Sequence, residues 1–120
     1  MFLDKNILLT GDGLAGMVDK VYSNLTTLDL SETSIGDKGI EYLSRAKFPK
    51  LVNLFLKSIN ITSKGMEYLS KMDFPELQVL DLSCNDLKVD DLLKLDERKM
   101  EKLTTIYLYP FIKSEDKERI

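Results

Sequence analysis

The residues best equipped for chemistry crowd the start of the chain. Gly11-Asp12-Gly13-Leu14-Ala15-Gly16 spells GxGxxG behind the apolar run Ile7-Leu8-Leu9, and Asp29 and Glu32 stand further on. In a nucleotide-binding unit such glycines let backbone amides approach a pyrophosphate at a helix start, and the later acid holds a ribose hydroxyl. Read alone, the segment is a dinucleotide site. Against that, only about eight residues remain for the crossover helix such a unit requires, and no second unit of the kind follows.

The other reactive groups are sparse. Asp29 and Asp81 would stand two strand spacings apart, roughly 10 Å, a separation at which two carboxylates can flank a sugar. Nothing else supports a glycosidase. Cys84 is the single cysteine, so no internal disulfide framework exists, a reducing compartment is the default, and a small, partly buried residue is expected there. The chain has no histidine, which removes the commonest general base, the commonest metal ligand and every Ser-His or Cys-His triad. No catalytic residue, cofactor or metal site is expected.

With 120 residues, 43% of them hydrophobic and 31% charged, the chain reads as one ordinary globular domain. A net charge of −3 and a pI near 5.0 argue against nucleic-acid binding, which needs a basic stripe. The start lacks a basic n-region and a long apolar h-region, and no run approaches a membrane span, so a cytoplasmic protein is expected. The same features would suit a secreted effector acting in a host cytosol. Two sequons, at Asn24 and Asn60, read as chance occurrences in that setting.

What must position these residues is a repeat. Leu25, Leu51, Leu77 and Leu103 lie 26 residues apart, opening the phrases LTTLDLSETSI, LVNLFLKSINI, LQVLDLSCNDL and LTTIYLYPFI. A fixed period of this length signals a solenoid. The columns Leu28, Leu54, Leu80, Ile106 and Leu30, Leu56, Leu82, Leu108 sit two apart, the period of a strand with one buried face. Ile40 with Leu43, Met66 with Leu69 and Leu92 with Leu95 are three apart, which suits one face of a short helix. Gly39 and Gly65 would allow a tight turn into it, with Asp37, Thr62 and Ser63 available as caps. Phe48-Pro49 and Phe74-Pro75 then plug the core and stop the helix.

These units resemble the leucine-rich repeat, whose LxxLxL phrase is met with one substitution, Ile106. SIGDKGIEYLS and NITSKGMEYLS are similar to the repeats of F-box adaptor-type and bacterial leucine-rich repeat proteins. The family's usual Asn or Cys at the ninth position stands only as Asn85, with Thr33, Ile59 and Phe111 in its place elsewhere, so the Ile59 loop needs another hydrogen-bond partner. The resemblance implies an α/β fold: a short right-handed solenoid with a parallel sheet on the concave side and short helices on the convex side. It covers residues 25–109 well. Upstream, Leu9, Gly13-Leu14 and Met17 align with Ile35, Gly39-Ile40 and Leu43, so residues 1–24 read as a degraded first repeat acting as an amino-terminal cap. Residues 110–120 read as a charged tail or short capping helix.

Residues alternating with the buried leucines face the concave solvent. They are Thr27, Asn53, Val79 and Thr105, then Asp29, Phe55, Asp81 and Tyr107, then Ser31, Lys57, Ser83 and Tyr109. Large rings at Phe55, Tyr107 and Tyr109 are misplaced on a merely solvated face and suit interface anchors. A tail folded back over Tyr107, Tyr109 and Phe111 would bury those rings instead, whereas Phe55 is mid-sheet. Lys57, Asp29 and Asp81 around it would set charge complementarity. The expected function is non-enzymatic binding of a protein partner through this face. The alternatives are a substrate-adaptor or secreted-effector role, although residues 1–24 contain no F-box-like segment, and nucleotide binding at Gly11–Gly16. Self-association through an exposed edge strand is a further expectation.

Overall fold

A computed structural model describes residues 11–110. The readings placed on residues 1–10 and 111–120, including the tail and Phe111, lie outside them. Four three-residue strands alternate with helices: β1 (Thr27–Asp29), α1 (Gly36–Leu43), β2 (Asn53–Phe55), α2 (Ser63–Ser70), β3 (Val79–Asp81), α3 (Val89–Leu92) and β4 (Thr105–Tyr107). Two 3₁₀ helices, Gly11–Met17 and Glu97–Lys99, complete the set. The strands form one parallel sheet in the order β1-β2-β3-β4, so each repeat stacks on the one before it.

The register follows the 26-residue period without a slip. Thr27, Asn53, Val79 and Thr105 pair across the sheet, as do Leu28, Leu54, Leu80 and Ile106. A one-residue slip would turn every leucine to solvent, so the apolar column holds the pairing in place. Leu28, Leu54 and Leu80 are fully buried, together with Leu30, Leu51, Leu56 and Leu77. Beyond the strands the same rungs continue: Glu32 N, Ser58 N and Cys84 N donate to Lys57 O, Ser83 O and Tyr109 O at 2.8, 2.9 and 2.9 Å. Glu32, Ser58 and Cys84 all take left-handed backbone, with φ of 60°, 55° and 59°, where the chain leaves the sheet.

On the helix side Ile40, Leu43, Met66 and Leu69 fill the core, and the 3₁₀ helix Gly11–Met17 packs Leu14 and Met17 into it beside α1. Phe48 and Phe74 are buried and stacked, with centroids 6.4 Å apart, and Tyr22 stacks nearly parallel to Phe48 at 5.4 Å. Met100 is the next member of that column and is also buried. This spine runs through four repeats, although its ends are not phenylalanine.

Two expectations need correction. The helical face expected at Leu92 and Leu95 is weaker than its counterparts: α3 has only four residues and both leucines are partly exposed. The slot filled by Gly39 and Gly65 holds Asp91 in this repeat, and Asp91 lies in the first turn of α3, where its carboxylate bonds the Lys88 amide at the helix start. The helix caps also differ. Neither Ile35 nor Thr62 caps its own helix with a side chain. Instead Asp37 reaches across to the next repeat, accepting from Thr62 N at 2.7 Å and Gly65 N at 3.0 Å. Two amides at the start of α2 are thus satisfied by its neighbour.

Candidate protein-binding face

Alternation along each strand leaves one sheet face without a core. Each of β1, β2 and β3 shows a partly exposed residue on either side of a buried leucine. The sheet register then places Asp29, Phe55, Asp81 and Tyr107 in one row, one residue per strand. Neighbouring strands lie about 4.8 Å apart, so the two carboxylates straddle the Phe55 ring across roughly 10 Å. Phe55 and both aspartates are partly exposed, while Tyr107 and Tyr109 keep 54% and 79% of their surface in water.

The polar groups of this face are held from below. Asp29 Oδ1 accepts from Ser31 N and Asp81 Oδ1 from Ser83 N, each at 2.9 Å, so both carboxylates close the same turn at the strand end. Ser31 Oγ accepts from Lys57 N at 3.2 Å and Ser83 Oγ from Tyr109 N at 3.1 Å, stitching alternate rungs. Asn53 donates to Thr27 Oγ1 at 3.2 Å. Lys57 is exposed beside Phe55, and its ammonium joins no ion pair among the described residues. Asp29 and Asp81 likewise have no ion-pair partner there.

Cys84 departs from expectation. It is exposed, not partly buried, because it occupies the left-handed position that swings its side chain off the sheet; its Sγ lies 3.2 Å from Tyr109 O as a donor. The glycine motif is likewise used by the fold. Leu14 and Met17 of Gly11–Met17 point into the core, and a Cβ on Gly16 would meet nothing.

Three grooves among the described residues lie elsewhere, one of them between the return stretches around Arg45–Pro49 and Lys71–Pro75, and Asp29, Phe55 and Asp81 line none of them. The row is therefore an open surface and not a pocket. Among the described residues no group of three or more His, Cys, Asp or Glu is placed to hold a metal, and no helix is long and apolar enough to cross a membrane.

Sequence reasoning found this row because period and alternation suffice to name it. What it missed is the constraint on the acids, since a turn closed by Asp29 or Asp81 depends on where Ser31 and Ser83 point their amides. An Asp two residues before a Ser at the ends of β1 and β3 was the available signal. The Leucine Rich repeat family model matches residues 23–44 and 76–95, spanning β1 to α1 and β3 to α3. The match is to the repeat itself and singles out no adaptor-type subclass. No curated protein matches the chain.

Proposed function

From the premise that the chain is a leucine-rich repeat protein, we propose that it is a non-enzymatic interaction module that binds a protein partner through the open face of its sheet. Such repeats generally mediate protein–protein contacts, and a stack of them offers an extended surface in place of a catalytic cleft. The observation that carries this reading is Phe55. It is a large ring left partly in water at mid-sheet, between two carboxylates, while Leu54 and Leu56 on either side are fully buried. Tyr107 and Tyr109 extend the apolar area, and Lys57, Asp29 and Asp81 supply charge around it. Rings so placed serve as anchors, and truncating one costs about 2 kcal/mol or more of binding.

The test is affinity capture with the wild type and with Phe55→Ala, alone and with Tyr107→Ala and Tyr109→Ala, folding being checked by circular dichroism. Partners lost from Phe55→Ala and absent from the triple variant support the reading. Partners unaffected by the triple variant would sink it. A substrate-adaptor or secreted-effector role would use the same face, and captured partners without any ubiquitin-ligase component would remove the adaptor version. Calorimetry with NAD and ATP addresses Gly11–Gly16.

Self-association is favoured by a separate observation. Among the described residues β4 has a partner strand on one side only, and Ile106 is 36% exposed where Leu28, Leu54 and Leu80 are fully buried. An edge of this kind invites pairing with a second copy. A light-scattering mass that rises with concentration, and falls back on Ile106→Lys, is the expected result.

A further inference from the structure

Resting on the open face as a protein-binding surface, we infer that the partner presents a basic side chain, arginine above all, that seats on the Phe55 ring between Asp29 and Asp81. The register sets Asp29 and Asp81 on either side of Phe55, with Tyr107 beyond, so the row alternates acid, ring, acid, ring. Each carboxylate is fixed by a hydrogen bond to its own turn, through Oδ1, and its second oxygen takes no partner among the described residues. The acids are therefore pre-oriented, and a ligand that meets them loses little freedom in ordering them.

The charge balance selects the partner. Whatever covers Phe55 also covers two carboxylates that no cation among the described residues neutralises. A neutral or acidic partner would strip water from both and leave them unpaired, which costs more than the apolar contact returns. A guanidinium resolves this, because its flat face stacks on an aromatic ring while its edge donates to carboxylates on both sides. Lysine satisfies the charge but not the fork. Lys57, two residues beyond Phe55, makes no cation–π contact with the ring and no ion pair with the acids among the described residues; it marks where the partner carries an acid, toward the loop end of the strands. Phosphate-bearing nucleic acid is disfavoured by the same two carboxylates.

The experiment is selection of random linear peptides displayed on phage against the full chain. Enriched peptides are then synthesised and titrated against wild type, Phe55→Ala and Asp29→Asn/Asp81→Asn. Asparagine keeps the Oδ1 acceptor for Ser31 N and Ser83 N, so the turns survive the change. The inference expects enriched peptides to share an arginine whose replacement by alanine abolishes binding, and by lysine weakens it less. It expects the double asparagine variant to bind on the order of tenfold more weakly or worse, and affinity to fall as ionic strength rises from about 0.05 to 0.5 M. Peptides that require Phe55 yet ignore both aspartates and salt overturn this inference and leave the face itself standing. Peptides indifferent to Phe55, Tyr107 and Tyr109 overturn the face and this inference with it.

Discussion

Counting from the repeat that opens at Leu25, the junction between the first and second repeats and the junction between the second and third each carry a carboxylate on the helix side, and the two face in opposite directions along the stack. At the first, Asp37 of α1 reaches forward and accepts from Thr62 N, Thr62 Oγ1 and Gly65 N at 2.7, 2.6 and 3.0 Å. At the second, Asp91 of α3 faces backward toward α2, where the Ser63 hydroxyl helps to hold its carboxyl below the ordinary value, while its Oδ2 takes Lys88 N at 2.8 Å. Asp37 and Ser63 occupy one column of the repeat, and Gly65 and Asp91 another. Each junction thus pairs one carboxylate with one small residue, and the two trade places. Two carboxylates there would repel each other, and two small residues would leave helix-start amides without a partner.

The loop side differs as well. Asn85 spans the second junction, its Oδ1 accepting from Ile59 N and Ile61 N at 3.0 and 3.2 Å and its Nδ2 donating to Leu56 O at 2.9 Å. This supplies the partner that the Ile59 loop lacks from its own ninth residue. At the first junction the corresponding position is Ile59, which has no polar side chain, and Thr33, one unit earlier, stays within its own repeat and donates to Leu30 O. The second junction is therefore tied on both sides, and the first mainly by Asp37 and the shared backbone rungs.

The largest effect expected to follow from this difference is at the ninth position. Asn85→Ala leaves two amides of fully buried isoleucines unpaired and is expected to cost about 3 kcal/mol, whereas Thr33→Ala costs about 1 kcal/mol. Urea unfolding of the two variants measures both, and equal losses would show that the bonds of Asn85 across the second junction add nothing beyond a bond kept within one repeat. Next comes Gly65→Ala. Its added Cβ would overlap Asp37 Oδ1 and the Ile61 side chain, and overpacking of this kind costs about 2 kcal/mol. Asp37→Ala alone removes a cap and should cost about 1 kcal/mol. Because both changes act on one contact, the double variant is expected to lose less than the sum; strict additivity would show that Asp37 does not set the need for glycine.

Apolar columns were legible in the sequence because leucine and isoleucine recur in register and burial demands nothing else of them. The sheet, its order and the open row with Phe55 follow from that. Links between repeats were not, because their chemistry changes from rung to rung. Asp91 sits in a glycine column, and its role depends on Ser63, 28 residues earlier. Tyr22 and Met100 continue the Phe48–Phe74 spine, yet a tyrosine and a methionine share no letter with phenylalanine, only size and apolar character. Cys84 was misjudged for a related reason. Its exposure comes from a left-handed backbone that Glu32 and Ser58 share, and no common residue type announces that conformation.

The smallest effect expected is in the acid dependence of the second junction. Burial alone would raise the Asp91 carboxyl, but the Ser63 hydroxyl, the Lys88 amide and the nearby Lys94 ammonium together hold it below its ordinary value of 3.8. Lys94 lies 3.6 Å from Asp91 and 3.8 Å from Glu67 of α2, so its charge also bridges the repeats. A carboxyl depressed in the folded state contributes stability that is fully present above its unfolded pKa and is lost as pH falls through the folded one. The advantage of wild type over Asp91→Asn should therefore be constant near neutrality, begin to shrink below about pH 4 and vanish at lower pH. Urea midpoints of the two proteins across that range measure it, and taking the difference cancels the titration of the remaining carboxylates. A gap that stays constant down to the acid limit would show that Asp91 acts through its shape and hydrogen bonds alone. The second junction would then be no more charge-dependent than an uncharged amide pair.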